Sequence, residues 1–306
     1  MCVEESGKNY EKYRHAANAI FAREKSSSVS LLGNLRKKTG YSIANCKKAL
    51  EVNQNDVAKA EEWLNSQAQE LGWHKATKLQ SRAASQGLVG ISCNEHGAAL
   101  VEVNCETDFV ARNEKFVQLV NSVAEVCLAR SSNAASKINF SSEELGGLVV
   151  DGLNGTKLVD LVALNIGQLG ENIVLRRATV MSSDPGTKLA CCTHPLQTVG
   201  NFSYGKYGAL ISFKENVGPS DEAGLPDGIT LDSLPRQLCQ HIIGMNPSTV
   251  EQPEGREGRP STNEDEGSLC NQEFVANPTY QVGDILKMVG WRVDDFLRFE
   301  CGENKN

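Results

Sequence analysis

Between residues 87 and 182 the hydrophobic period of the sequence changes from two to 3.6 and then back to two. The elements that these periods predict are strands at 87–93 and 98–104, helices at 113–127 and about 156–169, and a strand at 173–181. Each of these elements has one apolar face that it must bury against another layer. The segment therefore predicts an α+β unit in which helices pack on an antiparallel sheet.

The first two strands of this unit are separated by Asn, Glu, His and Gly at 94–97, which are residue types typical of a β-hairpin turn. In the second strand Val101 and Val103 alternate with Glu102 and Asn104. Because side chains alternate across a strand, this pattern predicts that only one face of the strand is buried.

The residues before this unit predict a small helical domain at 29–68, followed by a linker at 69–86 into which the last helix continues. Apolar residues recur at helical spacing in three short segments: Leu31, Leu32 and Leu35; Ile43, Cys46 and Leu50; Val57, Ala60 and Leu64. We expect Thr39 and Gly40 to stop the first helix and Ser42 to cap the second. Residues 1–28 form an N-terminal extension that is too rich in acids for more than a weak presequence.

A third unit at 188–303 repeats the order of strands, helix and strand. Its predicted elements are strands at 188–193 and 207–213, helices at 231–244 and 282–288, and a final strand at 291–301. Segments 215–230 and 246–268 are rich in Gly, Pro and charged residues and predict loop insertions. The whole chain is thus predicted to be α+β, with a three-helix bundle followed by two α/β subdomains, each with a small antiparallel sheet packed by helices.

Composition excludes several function classes. The 306 residues have a net charge of −7 and only 6% aromatic residues, which argues against general nucleic-acid binding and against stacking on single strands. Residues 1–82 hold 14 Lys and Arg against 9 Asp and Glu, a net of +5, so a basic head precedes an acidic body. The ten cysteines form no C-x-x-C pair, which argues against metal fingers and indicates a reducing compartment.

The sequence closest to an enzymatic signature is the segment 200–206, which fits G-x-x-x-x-G-K. Tyr207 follows it where a phosphate-binding loop needs Ser or Thr, and the next residues predict a strand instead of a helix. A hairpin turn is the better interpretation. Since the five histidines are scattered and other catalytic motifs are missing, we expect no cofactor, no metal and no chemistry of the chain's own.

The connection at 105–113, CETDFVARN, places apolar Phe109 and Val110 beside Asp108 where a polar loop is normal. Two interpretations of Phe109 are open. It could fill the core beneath the following helix, or it could be an exposed aromatic anchor with a neighbouring charge, which is typical of protein interfaces.

This nine-residue stretch resembles the signature of the elongation factor Ts family, whose members are guanine-nucleotide exchange factors for elongation factor Tu. Further similarities lie in order along residues 29–303: LRKKTG at 35–40, CKKAL at 46–50, AEEWL at 60–64, IGQLGEN at 166–172, QEFV at 272–275 and FECGE at 299–303. The first three resemble the family's ubiquitin-associated-like head. The short loop at 246–268, where bacterial members carry a coiled coil, resembles the animal mitochondrial branch.

The resemblance implies a partner and contact residues. Asp108 and Phe109 would be a wedge that enters the GTPase domain of elongation factor Tu and disturbs its Mg²⁺ site. The other positions that match partner contacts are Lys47, Leu169, Gly170, His194 and Val275. Structural support is the rival interpretation for the last four of these. The resemblance also implies a 1:1 heterodimer in the mitochondrial matrix, preference for the nucleotide-free partner, and no direct contact with nucleic acid or membrane.

A different class of function is also compatible with these residues. A ubiquitin-associated-like head usually presents an apolar patch, so the chain could be an adaptor whose head binds a ubiquitin-like or ribosomal partner while the body is scaffold. Acceleration of GDP release distinguishes the two hypotheses, because only an exchange factor produces it.

Overall fold

The structure, a computed structural model, describes residues 31–39, 41, 43–131, 137–152, 155–215, 224–250 and 267–303. The predicted extension at 1–28 and most of the predicted loop at 246–268 lie outside the described residues. The same holds for Gly40 and Ser42, which were expected to stop and to cap the first two helices.

The head contains three helices, as the sequence predicts: residues 31–39 (α1), Ile43–Val52 (α2) and Val57–Leu79 (α3). The Asp56 side chain caps α3 by accepting a hydrogen bond from the backbone N–H of Lys59 at 3.1 Å. Leu35, Cys46 and Ala60 are fully buried in a small core of the head's own. The resemblance of this bundle to ubiquitin-associated domains stays a prediction.

The first core layer is an antiparallel sheet whose strands follow the order β3-β4-β2-β1-β7-β6. Its strands are β1 (Gln86–Asn94), β2 (Gly97–Cys105), β3 (Lys137–Phe140), β4 (Ile173–Ser182), β6 (Gln197–Val199) and β7 (Phe202–Gly205). Its helices are α4 (Asp108–Ala111), α5 (Glu114–Leu128), α6 (Ser142–Gly147) and α7 (Leu158–Leu169). The predicted hairpin is confirmed, since Asn94 pairs with Gly97.

The prediction that β2 is buried on one face only is wrong, because all nine of its residues are buried, including Glu102 and Asn104. One face of β1 and β2 packs on α5. On the other face Val89 and Leu100 pack against Phe299 of the C-terminal strand. A second sheet therefore covers the face that polar side chains were expected to expose to water.

The second sheet has the strand order β11-β8-β5 and is also antiparallel. Its strands are β5 (Lys188–His194), β8 (Tyr207–Lys214) and β11 (Arg292–Glu300), and the nearby helices are α8 (Leu234–Met245) and α9 (Val282–Val289). A separate two-stranded sheet pairs β9 (Glu273–Phe274) with β10 (Asn277–Gln281). Phe213, Leu238 and Ile285 share the core of the three-stranded sheet. Gly208 permits the close approach of the two sheets, because a Cβ there would lie 2.7 Å from Cγ1 of Val89.

The segment 197–205 departs from the predicted division into units, since its hairpin belongs to the first sheet. β7 pairs with β1, and Phe202 is buried against that layer. The interpretation of 200–206 as a hairpin turn is confirmed by the pairing of β6 with β7. Lys206 donates a hydrogen bond to the Gly87 carbonyl at 2.9 Å.

Helix α3 extends to Leu79 and so includes much of the segment predicted as a linker. It packs along α7 at very short range, since a Cβ on Gly72 would lie 1.9 Å from the Ala163 carbonyl oxygen. Only glycine permits this approach, and the continuous helix joins the head to the core. Although α3 has 23 residues, none of the described helices is both long and apolar enough to span a bilayer.

Candidate protein-binding surface

The connection between β2 and α5 forms one helical turn, α4, between two side-chain caps. Thr107 precedes α4, and its side chain accepts a hydrogen bond from the Val110 N–H at 3.3 Å. Asn113 precedes α5 and accepts one from Lys115 N–H at 2.9 Å. Caps at both positions fix where each helix begins and hence the direction in which the residues between them point.

The side chain of Phe109 points away from the protein, with 82% of its surface exposed. Its neighbours Val110 and Ala111 are buried, at 9% and 3%. Val110 and Ala111 therefore fill the core beneath α4, and the alternative that Phe109 does so is wrong. A large aromatic ring exposed on a capped turn is accessible to another protein, so this turn is the candidate binding surface.

Asp108 lies beside this ring and stays accessible. Its carboxylate pairs with the Arg112 guanidinium at 3.0 Å, and the two side chains are 48% and 82% exposed. An exposed i,i+4 pair of this kind contributes little to stability. The pair can exchange partners when another protein offers charged or polar groups, so Asp108 is available for binding.

Two carboxylates hold the turn in place from the other side. The Glu171 carboxylate accepts hydrogen bonds from Thr107, from its hydroxyl at 2.6 Å and from its backbone N–H at 3.0 Å. In return the Glu106 carboxylate accepts one from the Asn172 N–H at 2.7 Å. These reciprocal bonds connect the start of α4 to the end of α7, and they make the position of Phe109 depend on both segments.

Leu169 and Gly170 immediately precede Glu171 at the end of α7. Leu169 is half-buried and packs on the main core, whereas Gly170 is exposed and ends the helix in the left-handed conformation with φ of 83°. The helix end predicted at Gly170 is confirmed, and its φ explains the glycine. The structure thus places both residues beside the Phe109 turn.

His194 lies at the end of β5 and is exposed. Next to it, Pro195 lines a groove of about 540 Å³ that Asp108 and Arg112 also line. The backbone N–H of Lys206 donates to the His194 carbonyl at 2.8 Å and holds this strand end against β7. The groove therefore connects the region of His194 to the Phe109 turn.

Lys47 and Val275 lie on other parts of the molecule. Lys47 is exposed on α2 and forms a long ion pair with Glu51, with Nζ and the carboxylate 3.8 Å apart. Val275 is 53% exposed after β9, and its backbone N–H donates to Nδ1 of His241 at 3.3 Å. Burial lowers the pKa of His241, which keeps that nitrogen available as an acceptor. Neither contact involves the Phe109 turn.

Sequence reasoning missed Glu171, Glu106 and Arg112 as residues of this surface. A signal was present for Thr107, since threonine is a favoured cap before a short helical turn. No local pattern shows that a carboxylate 64 residues further on accepts the hydrogen bonds of Thr107. That contact depends on the tertiary fold.

Replacing Thr107 with valine is expected to loosen the turn. The hydroxyl both accepts from Val110 and donates to Glu171, so its removal should lower the free energy of unfolding by about 1–2 kcal/mol. Urea unfolding measures this loss, and hydrogen exchange at the Val110 amide measures the local opening. Thr107→Ser is the matched control, since it keeps the hydroxyl. Equal protection of Val110 in the two variants would contradict the role of the cap.

Comparisons with known proteins show which family the chain resembles. Residues 14–74 match the family model described as "Elongation factor Ts, mitochondrial, N-terminal", and residues 106–258 match that described as "Elongation factor TS". The second match begins at Glu106, so it includes the Phe109 turn.

Full-length relatives extend the match over nearly the whole chain. "Elongation factor Ts, mitochondrial" of Aedes aegypti is 40% identical over 283 residues, with 90% of this chain and 88% of the relative covered. The protein of that name from Xenopus laevis is 41% identical, with 94% and 90% covered, and that from Drosophila melanogaster is 38% identical, with 95% and 91% covered. The resemblance inferred from residues 105–113 is confirmed: the chain belongs to the elongation factor Ts family and is a mitochondrial translation elongation factor.

Proposed function

We propose that the chain is the guanine-nucleotide exchange factor for mitochondrial elongation factor Tu. Membership of the elongation factor Ts family supports the identity of the partner. The exposed Phe109 on a turn held by Thr107 and Glu171 is the observation that carries the proposal. It supplies a rigid apolar group that can enter another protein, with the Asp108 carboxylate beside it.

The thermodynamic requirement for exchange is preferential binding to the nucleotide-free partner. If the chain binds that form more tightly than the GDP-bound form, then GDP and the chain weaken each other's binding by the same factor. Both GDP and GTP are displaced by such a factor, and the excess of GTP in the cell gives the cycle its direction.

The family resemblance implies how the turn acts, and the chemistry of its residues is compatible with that action. Phe109 enters between helices of the partner's GTPase domain and moves the groups that hold Mg²⁺ near the phosphates. Since Asp108 is paired only with exposed Arg112, its carboxylate can engage groups that are freed as those helices shift. The chain itself makes and breaks no covalent bond in this step.

The remaining proposed contacts surround this turn or lie on the partner-facing sides of the other units. Leu169 and Gly170 lie beside the hydrogen bonds between Thr107 and Glu171. His194 lies near the groove that Asp108 lines. Lys47 offers an exposed cation on the head, and Val275 offers an exposed apolar group directly after β9. These positions extend the interface across the three units of one chain, in a 1:1 heterodimer.

The head's attachment supports a shared interface over an independent adaptor. Lys115 donates to the Thr39 carbonyl and, at 2.8 Å, to Gln168, which in turn donates to the Tyr41 hydroxyl at 2.9 Å. These bonds join the ubiquitin-associated-like head to α5 and α7, the helices that also fix the Phe109 turn. Binding at the head and at the turn is therefore coupled through one body.

The proposal is tested by mixing the chain with mitochondrial elongation factor Tu loaded with a fluorescent GDP analogue. We expect the release rate in the presence of excess unlabelled GDP to rise about 100-fold with saturating chain. Binding of the chain to the GTPase without any acceleration of release would contradict the exchange function and favour the adaptor.

Replacing residues 251–266 with a short Gly-Ser linker is expected to leave exchange within about two-fold of the unmodified chain. The flanking residues are held together independently, since Ser248 N–H donates to the Gly267 carbonyl at 2.7 Å and Leu269 N–H to the Thr249 carbonyl at 2.8 Å. Closing a loop whose ends already meet changes the unfolding free energy only slightly. The same release assay measures the effect, and loss of binding to elongation factor Tu would show that 251–266 belongs to the interface.

A further inference from the structure

Two cysteines from different sheets meet where the sheets pack together. Cys93 lies near the end of β1, directly opposite Ala98 in the β1–β2 register. Cys191 lies on β5 and packs in one small apolar cluster with Ala98, Met181 and Leu210. Of the nine cysteines that the structure describes, Cys93 alone is exposed.

The two cysteines are neighbours, since Cys93 pairs with Ala98, Cys191 packs on the cluster that contains Ala98, and a hydrogen bond links the two side chains. This bond from Cys191 lowers the pKa of the Cys93 thiol to about 6, while the same bond and burial raise the pKa of Cys191. Cys93 is therefore an accessible thiol whose deprotonated form, the reactive form of cysteine, is favoured by the neighbouring Cys191.

We propose that Cys93 and Cys191 form an oxidation site, at which a hydroperoxide converts the two thiols into a disulfide that joins β1 to β5. This inference is independent of the nucleotide-exchange proposal. It assigns a modification site to residues that take no part in the Phe109 turn.

The chemistry proceeds in two balanced steps. The Cys93 thiolate attacks one oxygen of hydrogen peroxide, the O–O bond breaks, and protonation of the leaving hydroxide gives water and the Cys93 sulfenic acid. The Cys191 sulfur then attacks the sulfenic sulfur, the S–O bond breaks, and the thiol proton leaves with the hydroxyl group as the second water. Two thiols are thus oxidised to one disulfide and one peroxide is reduced to two waters.

Comparison with a second thiol pair shows that solvent exposure determines which cysteines a peroxide oxidises first. Cys192 and Cys239 are also joined by a side-chain hydrogen bond, and that bond lowers the pKa of Cys192. However, Cys192 is only 9% exposed and Cys239 is fully buried. A peroxide in water reaches Cys93 first, so oxidation is expected to be selective for the pair Cys93 and Cys191.

To test this, the reduced full-length chain is treated with one equivalent of hydrogen peroxide. The remaining thiols are then blocked with N-ethylmaleimide, and the peptides are mapped by mass spectrometry. We expect a major product that lacks two thiol hydrogens, contains a peptide linking Cys93 to Cys191, and returns to the starting mass with dithiothreitol. Cys93→Ser should abolish the product, and Cys239→Ser should leave it unchanged.

In the Cys191→Ser variant the resolving thiol is missing, so Cys93 sulfenic acid should accumulate and react with dimedone. Three results would overturn the proposal: no disulfide at Cys93, a disulfide from Cys93 to a cysteine other than Cys191, or a Cys191→Ser variant whose Cys93 gives no dimedone adduct. Each can be read from the same peptide maps.

Discussion

Replacing Phe109 with alanine is expected to lower the rate constant for GDP release from mitochondrial elongation factor Tu by about 30-fold or more. A buried aromatic anchor at an interface contributes about 2 kcal/mol or more, and that free energy corresponds to this factor. The melting temperature should change by less than about 2 °C, since 82% of the ring is exposed in the free chain and few contacts are lost.

The matched control is Val149→Ala, which removes an exposed apolar side chain, 38% accessible, on the connection that follows α6. It should leave both exchange and stability close to those of the unmodified chain. A large fall in the melting temperature of Phe109→Ala would mean that the ring supports the fold. Nucleotide exchange at the unmodified rate by Phe109→Ala would refute the role of the Phe109 ring at the interface.

Asp108→Ala combined with Phe109→Ala should lower exchange further, again with little loss of stability, because the pair of Asp108 with Arg112 is exposed. Arg112→Ala distinguishes two roles of the carboxylate. If Asp108 contacts the partner directly, its loss lowers exchange while the loss of Arg112 does not.

Replacing Arg177 with methionine is expected to destabilise the fold by about 3–5 kcal/mol, because it leaves the fully buried Glu102 carboxylate without its cation. Nε of Arg177 donates to Glu102 at 2.7 Å, and the same guanidinium donates to Glu303 at 3.2 Å. It also lies 4.1 Å from the ring centroid of Phe299. These contacts join the first sheet to the C-terminal strand, and the melting temperature should fall by about 10 °C.

Lys188→Met is the matched control for this substitution, since Lys188 pairs with Glu215 at 2.7 Å but is 61% exposed. Its cost should be less than about 1 kcal/mol. Adding Glu102→Gln to Arg177→Met should recover more than about 1 kcal/mol, because the double variant removes the unpaired charge. Purely additive losses would show that the two side chains are not coupled.

Periodicity predicted most of the elements because each helix and strand buries one apolar face. The helix that begins after Asn113, the helix that ends at Gly170 and the hairpin at 94–97 are at their predicted places. Caps and turns of this kind are determined by residues close together in the chain, so they can be predicted from a short stretch of sequence. Local patterns did not determine whether the Phe109 side chain is buried or exposed. The family resemblance is what identified its turn as the candidate site.

Features that depend on distant contacts were not predictable. The alternation of Val101 and Glu102 is typical of a strand with one face in water, yet Arg177 and the second sheet bury that face. Similarly, nothing local to 197–205 shows that its hairpin joins β1. The exposure of Phe109 follows because Val110 occupies the position beneath the turn, and that choice is made by packing.

The most direct test of the proposed interface uses a photo-reactive benzoylphenylalanine at position 109. The chain is irradiated together with nucleotide-free mitochondrial elongation factor Tu, and the cross-links are mapped. Under the proposed function, cross-links should form to the GTPase domain near its Mg²⁺ site, and excess GDP with Mg²⁺ should suppress them, because the nucleotide would weaken the binding of the chain. A complex that forms normally but cross-links from position 149 and not from position 109 would contradict the proposed interface.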